Sequence, residues 1–190
     1  MSEKIGPWTL LNSTLAYENP WIRVDHQEVL NPNGNPGIYG KIHFKHVAIG
    51  IVAIDDEKNT WLVGQFRYPL NTYSWEIPEG GGRLHVDPLE EAKRELLEEC
   101  GIEARRWERI QEMQLSNSVS DEIGVIFLAT DLSVGANSPE DTEQLEIKKI
   151  PFSEALQMVL NGSITDSLSV AGILKAHYIL QERDRDVTSI

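Results

Sequence analysis

Cysteine is nearly missing from this chain. Cys100 stands alone among 190 residues, so no disulfide can form within it, and a lone thiol fits a reducing compartment. Basic residues are also scarce. Lys and Arg number 17 against 30 Asp and Glu, for a net charge of −13. That balance argues against a nucleic-acid partner or an anionic membrane surface, both of which call for a broad basic face. Long apolar runs are lacking, and stretches such as VAIGIVAI fall far short of the roughly 20 residues of a membrane span. The start, MSEKIGPWTLL, has no basic region followed by an apolar core, so no signal peptide is expected and the cytoplasm is the expected location. The few histidines form no zinc pattern, and HVDP offers no nucleophilic triad. With 41% hydrophobic and 25% charged residues, the chain has the make-up of a soluble globular protein long enough for a sizeable core. A small anionic substrate stays open to it, because bound divalent cations reverse a local field.

Turn signals and apolar patterning divide the chain. Residues 8–45 alternate polar and apolar side chains around the turn cluster NPNGNPG at 31–37, which predicts a small antiparallel unit over 1–45. Residues 46–190 form the expected main body. HVAIGIVAID reads as a strand buried on both faces, and TWLVGQFRYPL as a second strand. YSWEIPEGGG reads as a short strand ending in a glycine loop. Further strands are expected in RRWERIQEMQL and IGVIFLATDL, an acidic loop in SPEDTEQLEI, and amphipathic helices in PFSEALQMVLNG and SLSVAGILKAHYILQERD, with RDVTSI frayed.

One helix poses a problem. Asp87 is a good N-cap, Pro88 suits the first turn, Glu90 is spaced for a capping box, and Gly101 supplies the stop. The helix therefore runs over about 87–100. Leu89, Ala92, Leu96 and Cys100 share one face, with Glu91, Glu95 and Glu98 opposite and Glu99 at the border. The last turn is thus acidic, against the helix dipole and against like-charge repulsion at i, i+3 and i, i+4. Lys93 and Arg94 offset only part of this. Either the face is solvated, or a divalent cation such as Mg²⁺ belongs there, since hard cations prefer carboxylate oxygens. Gly80, Gly81 and Gly82 just before the helix read either as a flexible connector or as a place where backbone approaches a ligand closely.

The segment GGGRLHVDPLEEAKRELLEECGI resembles the Nudix box. Gly80 starts the pattern, and Arg94, Glu95, Leu96, Glu98, Glu99, Gly101 and Ile102 match it in order and spacing. One position departs: Val86 stands where the pattern has Glu. GQFRYPL, WEIPEGG, SDEIGVIFLA and NGSITDSLSVAGIL are similar to segments of the ADP-ribose and nucleoside-diphosphate-sugar pyrophosphatases of that superfamily. The resemblance implies an α+β protein: an α/β/α sandwich around a mixed sheet, with the N-terminal strands completing a homodimer and its substrate pocket.

It also implies roles. Glu95 and Glu99 would ligate metal, with Glu98 as a ligand or as an orienter of water, and the Glu79 carbonyl completing one ion's sphere. The ions would be Mg²⁺, with Mn²⁺ an alternative and more than one bound. Arg94 would hold the carboxylates, although an ordinary ion pair with Glu90, Glu91 or Glu98 explains it equally. Glu140 is the first choice for general base, with Glu143 close behind; either also reads as part of a solvated acidic turn. Arg67 would contact phosphate, or form a surface ion pair. Gly80 and Gly81 would line the substrate. Tyr39, Trp75 and Phe44 are candidates to stack on a base, or are core aromatics. Arg23 and the Asp121–Glu122 pair are weaker candidates for sugar contacts, and His85 is expected to be exposed. The implied reaction is Mg²⁺-dependent hydrolysis of ADP-ribose or a related nucleoside diphosphate sugar. The alternatives are a Nudix hydrolase of a nucleoside triphosphate or GDP-mannose, and a non-catalytic nucleotide-binding module.

Overall fold

The computed structural model describes residues 2–135 and 145–188. Four antiparallel strands come first: β1 (Glu3–Ile5), β2 (Trp8–Glu18), β3 (Ile22–Leu30) and β4 (Pro36–Phe44), adjacent in that order. The turn cluster does what its asparagines suggest. Asn31 Oδ1 accepts from the N–H groups of Asn33 and Asn35, each at 3.0 Å, and reverses β3 into β4. Such Asx geometry substitutes a side-chain oxygen for a backbone acceptor. Residues 116–121 join this sheet through the Ile42–Ser120 bridge and the Ile42 N–H to Val119 carbonyl bond at 2.8 Å. By contact density the chain divides into Met1–Val47 with Gln114–Ile123, and Ala48–Met113 with Gly124–Ile190.

The second unit is built on β5 (His46–Ala53), β6 (Asn59–Arg67), β7 (Thr72–Glu76), β8 (Glu79–Arg83), α1 (Pro88–Cys100), β9 (Ile102–Gln114), β10 (Ile123–Val134), β11 (Glu146–Pro151), α2 (Phe152–Leu160) and α3 (Ser167–Thr188). Its strands form two sheets, a mixed one ordered β8-β5-β10-β9 and an antiparallel one ordered β11-β6-β7. In the first, β5 and β10 run parallel, with Ile49 opposite Val125 and Ile51 opposite Phe127. As its unbroken apolar run suggests, β5 is buried on both faces: Ile49, Ile51, Val52 and Ala53 are wholly inaccessible. Helix α1 packs on β8 and β6, and α2 packs on α3 and β11. Helix α3 sits so close to the mixed sheet that a Cβ on Gly172 would stand 3.1 Å from both Ile126 and Val52. The result is the expected α+β architecture, with strands covered by helices.

Three boundaries differ from the sequence reading. The YSWEIPEGGG stretch is two strands, because Ile77 and Pro78 bend the chain between β7 and β8. Strand β9 starts at Ile102, directly after the α1 stop, because Ile102 is itself a core residue. Helix α3 runs through to Thr188 rather than fraying at Arg185.

Candidate active site

Helix α1 is capped as its sequence predicts. Asp87 accepts from the Leu89 N–H at 2.9 Å, and Gly101, at φ 66°, donates to the Leu96 and Leu97 carbonyls. The capping box itself does not close, because Glu90 turns outward to Lys93 at 2.7 Å. Ala92, Leu96 and Cys100 are buried as expected. The opposite face departs from a solvated surface: Glu91, Glu95 and Glu99 are buried too, at 0%, 9% and 2% exposure. No basic residue lies in the last turn.

Strand β8 covers that face, and its glycines allow it. The expected glycine loop is a strand, and none of Gly80, Gly81 and Gly82 takes a positive φ. Close approach is what requires Gly80: a Cβ there would collide with the Glu95 carboxylate. One residue earlier, the Glu79 N–H donates to Glu99 Oε2 at 3.0 Å. Glu79, Gly80, Glu95 and Glu99 are therefore brought together at one strand–helix seam.

Arg94 is the hub of the seam. Its Nε donates to Glu91 at 3.0 Å, its Nη1 to half-exposed Glu98 at 2.5 Å, and its Nη2 to Glu95. Arg83, at the end of β8, donates through Nε to the other Glu91 oxygen at 2.6 Å. Burial works against ionisation of Glu91, but Arg83 and Arg94 outweigh it and hold its carboxyl below the usual range.

A second acidic group adjoins the first through Glu79. Oxygens of Glu76, Glu79 and Asp166 lie within 4.8 Å of one another. Arg67 serves this group: its Nε lies 3.0 Å and 3.1 Å from the two Glu76 oxygens, and its Nη2 lies 3.5 Å from Glu79. Burial opposes charge on Glu76, yet Arg67 keeps its carboxyl below the usual range. Glu79 goes the other way. Burial pushes it well above the usual range, and the neighbouring charges of Asp166 and Glu76 add to the push. A nearly buried carboxylate whose charge is disfavoured by burial and by its acidic neighbours fits a place for a cation, and the all-oxygen donor set suits a hard divalent ion. Sequence reasoning did not single out Glu76 or Asp166. Asp166 carried a signal for a different task, the N-cap of α3, which it performs by accepting from the Ser169 N–H at 2.8 Å.

Residues 44–166 match the NUDIX domain, and residues 8–42 match the nucleoside diphosphate sugar hydrolase N-terminal domain. The chain belongs to the Nudix family. Among its relatives, an ADP-ribose pyrophosphatase of Mycobacterium tuberculosis is 33% identical over 135 residues, covering 70% of this Nudix chain and 65% of its own length. An ADP-ribose pyrophosphatase of Bacillus subtilis is 33% identical over 128 residues, 66% of this chain and 69% of its own length. The chain thus spans about two thirds of the curated relatives it matches. A solved structure described as an ADP compounds hydrolase superposes with a TM-score of 0.85 over 97% of this chain and 100% of that one, at 19% identity, which shows the Nudix fold.

The remaining sequence candidates of the Nudix chain fall in one or the other unit, or outside the described residues. Glu140 and Glu143 lie outside the described residues. Trp75 lies over Gly64, where a Cβ would come within 2.8 Å of its ring, with Lys148 Nζ 3.7 Å from its centroid and Tyr73 edge-on at 5.7 Å. Tyr39 belongs to the first unit, where its hydroxyl donates to the Ser118 carbonyl and its ring meets Trp8 edge-on at 5.8 Å. In the same unit Asp121 accepts from the Phe44 N–H at 3.0 Å and lies 2.6 Å from His43 Nδ1. His43 Nε2 is in turn 3.3 Å from buried Asp25, the partner of Arg23. Burial pushes the Glu122 carboxyl up, and His85 is exposed as expected. Among the described residues, no helix is long and apolar enough to cross a membrane.

Proposed function

We propose that this chain is a Mg²⁺-dependent hydrolase, Mn²⁺ serving as a substitute, that splits the diphosphate of ADP-ribose or a related nucleoside diphosphate sugar. The products are a nucleoside monophosphate and a sugar phosphate. The observation that carries the reading is the seam where Glu95 and Glu99 of α1 meet the β8 backbone at Glu79 and Gly80, with Glu98 tied to Glu95 through Arg94. It agrees with the pyrophosphatase names of the relatives and with the sugar-hydrolase N-terminal match.

In the reaction, a water oxygen bonds to one phosphorus, the bridging P–O bond breaks, and the bridging oxygen departs on the other phosphate. Divalent ions supply orientation of the phosphates, neutralisation of developing charge and a lowered pKa for the attacking water. Glu95, Glu99 and the Glu79 carbonyl hold them, and Glu98 holds an ion or orients the water. More than one ion suits so many oxygens. Arg94 fixes the Glu95 and Glu98 carboxylates. Arg67 presents a guanidinium fork to phosphate from its place beside Glu76. Glu140 takes the proton from water, with Glu143 its nearest substitute. Gly80, Gly81 and Trp75 are the substrate-contacting candidates of the hydrolase domain, and Tyr39 is that of the N-terminal strands.

Residues 1–45 form the assembly and selection region and 46–190 the hydrolase domain, in a cytoplasmic homodimer. Exposed apolar side chains on the N-terminal strands support the dimer: Ile5, Leu11, Leu15, Tyr17 and Ile38 are each 43–73% accessible, more exposed apolar surface than one small sheet usually leaves bare. Deleting residues 1–40 is expected to give monomer or aggregate without ADP-ribose hydrolysis. A soluble, fully active truncated monomer, seen by gel filtration and assay, refutes this part.

The deciding experiment for the activity is a substrate panel with Mg²⁺, products being separated by chromatography. ADP-ribose is expected to yield AMP and ribose 5-phosphate without free orthophosphate. Turnover confined to nucleoside triphosphates or GDP-mannose assigns another substrate, and binding without turnover assigns a nucleotide-binding module.

A further inference from the structure

Val86 occupies the position where the Nudix pattern has a glutamate, and it brings no charge to Arg94. Arg94 nevertheless has a carboxylate acceptor at each of its three nitrogens. Its Nε is taken by Glu91 Oε2 at 3.0 Å, its Nη1 by Glu98, and its Nη2 by Glu95. Glu91 is the most deeply buried member of this set, with none of its side chain accessible. Its second oxygen, Oε1, accepts from Arg83 Nε at 2.6 Å. Each carboxylate oxygen thus faces one guanidinium, one from the end of β8 and one from the middle of α1.

We infer that Glu91 is a positioning residue that replaces the carboxylate missing at position 86: it fixes Arg94 between helix and strand, so that Arg94 holds Glu95 and Glu98 in place. The inference rests on the cation site proposed above. Glu91 does not itself serve as a ligand, because both its oxygens are engaged by guanidiniums that a cation would repel. It acts one turn before Glu95, through Arg94, which touches both Glu95 and Glu98. A charge-assisted pair with two fixed guanidiniums confers orientation as well as attraction. Residues that orient metal-holding groups typically change metal affinity or activity by about 10–100-fold when removed.

The test uses the full chain carrying Glu91→Gln, Glu91→Ala, Val86→Glu and the Val86→Glu/Glu91→Ala pair. Each is measured for Mn²⁺ affinity by calorimetry and for kcat and KM on ADP-ribose. Glu91→Gln is expected to weaken the metal and lower kcat by roughly tenfold or more, with KM within about threefold, since substrate contacts are untouched. Val86→Glu alone is expected to change kcat by less than about tenfold. In the pair, the new carboxylate is expected to restore most of the affinity and of kcat lost in Glu91→Ala. Unchanged metal affinity in a folded Glu91→Gln variant overturns the positioning role, and a loss that Val86→Glu does not recover overturns the replacement. Should Glu91→Ala fail to fold, Arg83→Met removes one arm of the bridge instead. A drop in Mn²⁺ affinity then supports the role, and no change overturns it. An unaltered chain that binds Mn²⁺ yet leaves ADP-ribose intact defeats the substrate reading alone, because the affinity series still decides this one. An unaltered chain that binds no metal defeats both.

Discussion

Glu91 and Glu79 are both nearly inaccessible carboxylates on the same strand–helix seam, yet their surroundings drive them in opposite directions. Glu91 sits between Arg83 and Arg94 and is held ionised. Glu79 sits with Glu76 and Asp166, shares Arg67 with Glu76, and is pushed toward its neutral form. Burial acts against charge in both cases, so the ratio of guanidiniums to carboxylates makes the difference. Around Glu91 the charges are closed on themselves and form a brace. Around Glu79 negative charge is in excess, and the excess is matched by what a divalent cation brings.

The largest expected effect comes from the open side. Glu99→Gln keeps the hydrogen-bonding size of the side chain but removes a charge that meets the Glu79 N–H. It is expected to retain the fold and lower turnover by at least about a hundredfold, some 2.7 kcal/mol in barrier. Near-normal steady-state activity in a folded variant would remove Glu99 from the cation site.

Next in size is Arg67→Met, which leaves Glu76, Glu79 and Asp166 without their guanidinium. Breaking a fully buried ion pair costs roughly 3–5 kcal/mol. The Arg67 side chain is 37% exposed, so screening reduces the expected loss to about 1–3 kcal/mol. Urea unfolding in EDTA and in saturating Mg²⁺ measures it. The loss is expected to shrink when Mg²⁺ is present, through mass action on the folded state. Equal losses under both conditions would mean that no cation enters this cluster.

The smallest effect is the sharpest test of the comparison. Glu79, with its carboxyl raised in the folded state, favours folding below the unfolded value near 4.5 and loses that contribution as pH rises toward the folded value. Glu91, with its carboxyl lowered, contributes above 4.5 and loses the contribution as pH falls through its folded value. In metal-free protein, Glu79→Gln is therefore expected to raise stability at neutral pH relative to the unaltered chain and to leave it unchanged near pH 4. Glu91→Gln is expected to lower stability at neutral pH, with the difference fading toward acid. Melting temperatures across pH 4–8 check both, and slopes of the same sign would dissolve the contrast.

How legible this was depended on distance along the chain. The α1 ends were local matters: Asp87, Pro88 and Gly101 carry their cap chemistry within a turn of the boundary, and the structure agrees with them. The box residues, likewise, stand at fixed helical spacing. What the helix pattern alone did not reveal is that its acidic face is covered. That cover is a strand, and it depends on Gly80 lacking a side chain exactly where Glu95 needs room, a contact across fifteen residues of sequence. The Glu76–Asp166 pairing spans still more chain. Asp166 had a sufficient local explanation as the α3 cap, so nothing in its neighbourhood announced a second task. Trp75 was read as a stacking candidate from its residue type, but the ring's place over Gly64 and under Lys148 is a matter of register among β6, β7 and β11.

The hydrogen bond from the Glu79 amide to Glu99 gives this site its own spectroscopic reporter. An amide proton bonded to a full carboxylate charge resonates downfield, and it moves upfield when a cation draws that charge away. In a nitrogen-15 labelled sample, the Glu79 cross-peak would follow ion occupancy during a titration, with Gly80 beside it sensing the movement of the Glu95 carboxylate. Two neighbouring peaks would then register the state of two carboxylates separately, without substrate and without turnover.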